Sequence, residues 1–228
     1  MRTTVLFDIG GPIDLEIEHE RRVDAAMRAS LTAAGLPATD ALLAEASRYA
    51  VEAFAPNAYQ AMVWQLCGRD HEKSVSVWRA VEAFVAAAQA PLEPREGIAE
   101  LLEDLARRDV RLGLVANQPA QALGRLERAG LARYFDYRGF SGTTGPRKPD
   151  PRAFLNACTA LAVDPTECIM VGDRIDNDIA PARLLWMAGV LLRTGRHAAQ
   201  QPRSWMEEPD EVVEDVPELA RVLDRLLG

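Results

Sequence analysis

Three aspartates and one lysine stand at or near the ends of expected strands and helices in this chain. Asp8 closes the run Thr4-Val5-Leu6-Phe7 and is followed by Ile9-Gly10-Gly11-Pro12. Asp173 follows Cys168-Ile169-Met170-Val171-Gly172, with Asp178 shortly after it, and Lys148 opens Lys148-Pro149-Asp150-Pro151. Aspartates in such places commonly cap turns. Converging at one edge, however, the three carboxylates would repel one another unless a cation neutralised them. Oxygen ligands without His or Cys suit Mg²⁺, which keeps several waters and pairs well with a phosphate. A lysine beside them would neutralise the remaining phosphate charge. The combination points to phosphoryl transfer to a carboxylate nucleophile, a reaction dominated by electrostatics.

Such convergence needs an open parallel sheet, in which ligands bind beyond the carboxyl ends of the strands. The opening run reads as a buried strand, stopped by Gly10-Gly11-Pro12. Apolar residues at three- and four-residue spacing then predict helices over Leu15–Ala34, Asp40–Phe54, Asn57–Leu66 and Ser74–Gln89. Alanines and the aromatics Tyr49, Phe54, Trp64, Trp78 and Phe84 are expected to fill the interior of this helical block. Pro91-Leu92-Glu93-Pro94 marks a return to alternating strands and helices, the signature of a parallel sheet. Strands are expected at Arg111–Ala116, Tyr137–Ser141, Cys168–Val171, Val190–Leu192 and Glu211–Val213. Helices are expected from Ile98, over Pro119–Ala129, Pro151–Leu161 and Asp176–Met187, and at the end over Val216–Leu227.

The 228 residues suffice for one generous domain, or for a core with a large insertion. The formal net charge of −8 argues against a broad nucleic-acid or anionic-membrane surface. Cys67, Cys158 and Cys168 form no CxxC pair and no zinc spacing, so reduced thiols are expected. No signal-peptide pattern or bilayer-length apolar run is present, and the expectation is a cytoplasmic protein, monomer or homodimer, with no nucleic-acid or membrane partner.

In order and spacing, these motifs resemble those of the haloacid dehalogenase-like hydrolase superfamily. Asp8 matches the nucleophile of its first motif, and Asn117 follows the position of the second-motif Ser/Thr, here Ala116. Lys148 matches the third-motif lysine, and Gly172-Asp173 with Asp178 matches GDxxxxD. The resemblance implies an α/β fold with a Rossmann-like parallel core from residues 1–14 and 91–228. It also implies an inserted all-helical cap over residues 15–90 that closes over the site and chooses the substrate. The implied activity is a Mg²⁺-dependent phosphatase of a small phosphorylated metabolite, acting through an aspartyl-phosphate on Asp8. Metal ligands would be Asp8, Asp173, the carbonyl of Gly10, and Asp178 through water. Phosphate would meet Ile9, Gly10, Ala116, Asn117 and Lys148, with Asp8 and Lys148 catalytic.

The sequence departs from that pattern where it matters for rate. Gly10 stands where the family's phosphatases carry a second aspartate, the general acid/base, and its loss typically removes a factor of about 10²–10⁴. Ala116 lacks the hydroxyl that would bind phosphate, and Pro12 replaces Thr or Val. Leaving groups that need no protonation, such as acyl, aryl or sugar 1-phosphates, would suffer least. Asp14, Glu16, Glu18, His19 and Asp176 are candidate substitute acids, or simply surface charge. Two other functions fit the same residues: a phospho-ligand- or partner-binding protein without turnover, and a metal-independent 2-haloacid dehalogenase. The intact Gly172-Asp173 and Asp178 favour phosphorus over carbon.

Overall fold

A computed structural model of the chain describes residues 2–87, 90–141 and 145–228. In chain order, strand β1 (Thr4–Phe7) is followed by helices α1 (Ile17–Ala33), α2 (Asp40–Glu52), α3 (Ala58–Leu66) and α4 (His71–Ala87). Then come α5 (Ile98–Arg107), β2 (Arg111–Ala116), α6 (Ala122–Arg128), β3 (Tyr137–Phe140), α7 (Pro151–Leu161) and β4 (Cys168–Gly172). A π-helical turn (Ile175–Ile179) leads into α8 (Ala180–Leu184), β5 (Ala188–Leu192), β6 (Glu211–Val213) and α9 (Val216–Leu227). Two compact units result, one from Met1–Leu15 with Leu92–Gly228 and one from Glu16–Pro91.

In the first unit, six strands among the described residues form one parallel sheet in the order β3-β2-β1-β4-β5-β6. The four residues of β1 are all buried, as a strand covered on both faces must be. Its alternation divides the core: Val5 and Phe7 join α5, α6 and α9, while Leu6 joins α7 and α8 on the opposite face. The order turns at β1, whose neighbours are β2 on one side and β4 on the other. The register Phe7↔Val171 therefore sets the residues after β1 beside those after β4.

The second unit is built from α1 to α4 around Met27, Leu31, Ala46, Ala50, Met62, Val63, Val77 and Val81. The expected aromatic interior is not found. Tyr49, Phe54, Trp64 and Trp78 are only partly buried, and Phe84 is 50% exposed. The expected alanines do fill the interior, beside valines and methionines, and Trp78 packs against this core from its edge.

Other boundaries moved for local reasons. Helix α3 starts at Ala58 because the Asn57 side chain caps it, accepting from the Gln60 N–H at 3.1 Å. Helix α4 starts earlier than expected, at His71, with the Asp70 carboxylate accepting from the Lys73 N–H at 3.1 Å; its expected end at Gln89 lies outside the described residues. The expected helix over Pro119–Ala129 shortens to α6, because Pro119 and Ala120 form a turn whose carbonyls accept from Ala122 and Leu123. The expected helix over Asp176–Met187 divides into the π-turn and α8, and ends at Leu184 before the left-handed Trp186. Among the described residues, no helix is long and apolar enough to cross a membrane.

Candidate active site

The turn after β1 is held by its own backbone. Ile13 and Asp14 donate to the Ile9 carbonyl at 3.1 and 2.8 Å, and Gly11 donates to the Asp14 carbonyl at 2.8 Å. Gly11 adopts φ +81°, which an L side chain rarely takes. A Cβ there would also lie 2.7 Å from Asp173 Cβ. The returning chain is fastened to this turn: Glu93 donates its N–H to Asp14 Oδ1 at 2.9 Å, and Arg95 N–H donates to the Ile13 carbonyl at 2.8 Å. Arg95 Nε donates to the Gly11 carbonyl at 2.9 Å and Nη2 to Thr194 Oγ1 at 2.6 Å. Burial lowers the pKa of its guanidinium, and nearby Asp173 opposes the shift.

On the neighbouring strand, Gly172 leaves space that Asp178 fills. A Cβ on Gly172 would lie under 3.0 Å from both Cβ and Cγ of Asp178. The π-turn closes on itself: Asp178 N–H donates to the Arg174 carbonyl at 3.0 Å, and Arg174 N–H donates to Asp178 Oδ2 at 3.1 Å. Gln200, which spacing did not single out, steadies this turn from the segment after β5. Its Oε1 accepts from the Ile175 N–H at 2.8 Å and its Nε2 donates to Asp176 Oδ1 at 3.2 Å.

These turns bring oxygens of Asp8, Asp173 and Asp178 within 4.8 Å of one another. Lys148 Nζ lies 3.0 Å from Asp8 Oδ1 and 2.6 Å from Asp178 Oδ1. Asp178 is fully buried, Lys148 is 4% exposed and Asp8 is 8% exposed. Burial pushes the Asp178 carboxyl up to about 6; Lys148 opposes the rise and Asp8 adds to it. Burial works against the Lys148 ammonium, but Asp178 and Asp8 outweigh it and its pKa is raised. Carboxylates clustered in this way repel one another, and a divalent cation would relieve that repulsion. The donor set is all oxygen and suits Mg²⁺.

The remaining sequence-predicted site residues lie around this cluster. Ile9 is buried and donates its N–H to Asp8 Oδ1 at 2.7 Å; Gly10 pairs with Asp14 across the turn. Ala116 ends β2, and its carbonyl accepts from the Ser141 N–H at 3.0 Å. The Asn117 side chain is turned to the Lys148 backbone. Its Oδ1 accepts from Lys148 N–H and its Nδ2 donates to the Lys148 carbonyl, both at 2.9 Å. Asp150 caps α7 directly after the lysine, accepting from the Arg152 N–H at 2.9 Å.

Four of the candidate substitute acids have partners, and Glu16 takes a left-handed backbone (φ 55°) just before α1. Asp14 is 1% exposed and pairs with Arg125 at 3.2 Å as well as with the Glu93 amide. Asp176 pairs with Arg174 at 2.6 Å. Within the helical unit, Glu18 pairs with Arg22 at 2.8 Å and His19 meets Tyr59 edge-on. Arg95, like Gln200, is a residue of this site that no motif or spacing in the sequence announces.

Comparison with known proteins places this geometry in context. The model of the haloacid dehalogenase-like hydrolase family matches residues 3–185. A glyceraldehyde 3-phosphate phosphatase of Methanopyrus kandleri is 32% identical over 160 residues, 70% of this chain and 68% of that one. An N-acetylmuramic acid 6-phosphate phosphatase of Pseudomonas putida is 34% identical over 140 residues, 58% of this chain and 59% of that one. A solved structure described as a predicted phosphoglycolate phosphatase from Haemophilus somnus shares the fold, with TM-score 0.74 at 18% identity over 97% of this chain and 98% of that one. With its parallel sheet and the acidic trio at the ends of β1 and β4, this chain belongs to the haloacid dehalogenase-like hydrolases.

Proposed function

We propose that the protein is a Mg²⁺-dependent phosphatase of a small phosphorylated metabolite, with Asp8 as nucleophile. The observation that carries this reading is the meeting of Asp8, Asp173 and Asp178 within 4.8 Å, with Lys148 3.0 Å from Asp8. The relatives' names, which refer to phosphates of small sugars and sugar acids, support the substrate class. Residues 1–14 and 91–228 are taken as the catalytic core and 15–90 as a cap, supported by the two compact units. Mg²⁺ would be held by Asp8, Asp173, Asp178 and the Gly10 carbonyl, and when bound it offsets the negative charge of the phosphate.

In this reading, an Asp8 carboxylate oxygen forms a bond to phosphorus as the bond to the leaving oxygen breaks. Water then cleaves the aspartyl-phosphate, releasing phosphate and restoring the carboxylate. Lys148 stabilises charge on the transferring group. Position 10 supplies no proton to the leaving oxygen, because glycine has no side chain. Substrates whose leaving oxygen has a low pKa, acyl and aryl phosphates above all, should therefore suffer least from its absence.

The test is phosphate release from a panel of small phosphorylated metabolites with Mg²⁺ or with EDTA, beside Asp8→Asn. Release that requires Mg²⁺ and disappears in Asp8→Asn is expected. Activity on a 2-haloacid that persists in EDTA would replace this reading with carbon chemistry.

A further inference from the structure

Lysine side chains are long and flexible, so placing an ammonium between two carboxylates requires that the backbone beneath it be fixed. Lys148 is held in an unusual way. One side chain, Asn117, satisfies both its N–H and its carbonyl at 2.9 Å. The carboxamide suits this role, since its oxygen accepts from one group while its nitrogen donates to the other. Asn117 is itself bracketed. Its carbonyl accepts from Ser141 Oγ at 3.0 Å, and the Ser141 N–H donates to the preceding carbonyl, that of Ala116, at 3.0 Å. The ends of β2 and β3 thus fix Asn117, and Asn117 fixes Lys148.

We propose that Asn117 is a positioning residue that holds Lys148 against Asp8 and Asp178, rather than a side-chain ligand of phosphate. The proposal rests on the reading of Lys148 as the group that stabilises phosphate charge. The clamp itself can be tested without any substrate.

The chain contains two lysines, Lys73 and Lys148, so amine acylation reads one against the other. The Lys73 side chain is 58% exposed and that of Lys148 is 1% exposed. A brief pulse of acetic anhydride, quantified by peptide mass spectrometry, is expected to label Lys73 and spare Lys148 in the wild type. Loss of two hydrogen bonds in Asn117→Ala should raise Lys148 labelling relative to Lys73 about tenfold. Asn117→Asp should do the same, because a carboxylate cannot donate to the Lys148 carbonyl. Leu105→Ala, a core truncation remote in sequence from both motifs, serves as a destabilised control and should leave Lys148 protected. The proposal is overturned if Lys148 stays protected in Asn117→Ala, or if Leu105→Ala exposes it equally. Failure of the phosphatase reading would show separately, as phosphate release unaffected by Asp8→Asn.

Discussion

Adding one methyl group at Gly172 should damage the site without touching any ionisable group. The backbone there carries no positive φ, so alanine is conformationally acceptable and the cost is steric alone. The new Cβ would lie under 3.0 Å from Cβ and Cγ of Asp178. Carbon atoms prefer separations of about 3.5–4.0 Å, so Asp178 must move by several tenths of an ångström or more. It has little freedom, being fully buried with one carboxylate oxygen on Lys148 and the other on the Arg174 N–H. Overpacking of this kind costs about 1–3 kcal/mol. For a chain of this length that lowers the Tm by roughly 2–12 °C. If Asp178 orients waters on Mg²⁺ as proposed, displacing it should also weaken Mg²⁺ binding by about tenfold or more.

Two other glycines separate the contributions. Gly35 has φ +72° with nothing within 4 Å of an added Cβ, so Gly35→Ala carries backbone strain alone, about 1 kcal/mol, and should leave Mg²⁺ binding intact. Gly11 combines φ +81° with a Cβ contact of 2.7 Å to Asp173, so Gly11→Ala should impair both stability and metal binding. Calorimetric Tm and isothermal titration with Mg²⁺ read the two effects. If Gly172→Ala melts within about 1 °C of the wild type and binds Mg²⁺ equally well, the claimed close packing of Asp178 on β4 is wrong.

Restoring the absent groups should raise turnover: Gly10→Asp with Ala116→Ser is expected to speed hydrolysis of alkyl phosphates by about 10²-fold or more. No gain, alongside tight Mg²⁺-dependent binding of a phosphorylated ligand, would identify a binding protein instead. Acid stability should depend on His197, whose imidazole is pushed down to about 4 by burial, with Arg174 and Arg196 adding and Asp176 opposing. Because the folded pKa lies below the unfolded value of about 6.5, the unfolded chain takes up the proton first. Stability contributed by neutral His197 is full above pH 6.5 and is lost as pH falls towards 4. His197→Gln should flatten this limb by about 3 kcal/mol in urea titrations, and an unaltered slope would clear His197 of the effect.

What could be read from sequence follows from the range of the interactions involved. Asp8, Lys148, Asp173 and Asp178 stand at element ends that short apolar runs and prolines announce, and the parallel register then carries them together. Gly172 and Gly11 could be noticed but not explained, because the atoms that exclude a Cβ there belong to Asp178 and Asp173. Arg95 and Gln200 were invisible. Each acts on a turn far away in the chain, and neither has a spacing that repeats. The aromatic residues of the helical unit misled for a different reason: hydrophobic type says that a ring avoids water, but not that it fits between closely packed helices.

Asp14 shows how far residue type can stand from chemical role. By sequence it is a carboxylate just past the catalytic turn, well placed to replace the acid absent at position 10. In the fold, one of its oxygens accepts from the Glu93 N–H and the other faces Arg125, so it fastens the returning chain to the turn. Asp176 is likewise held, by Arg174 and Gln200. With these two committed to structure, the proposed preference for leaving groups that need no proton has its sharpest test at position 10. The Gly10→Asp gain should accordingly be large for alkyl phosphates and small for acyl or aryl phosphates. Equal gains across both classes would mean that proton transfer is not what position 10 lacks.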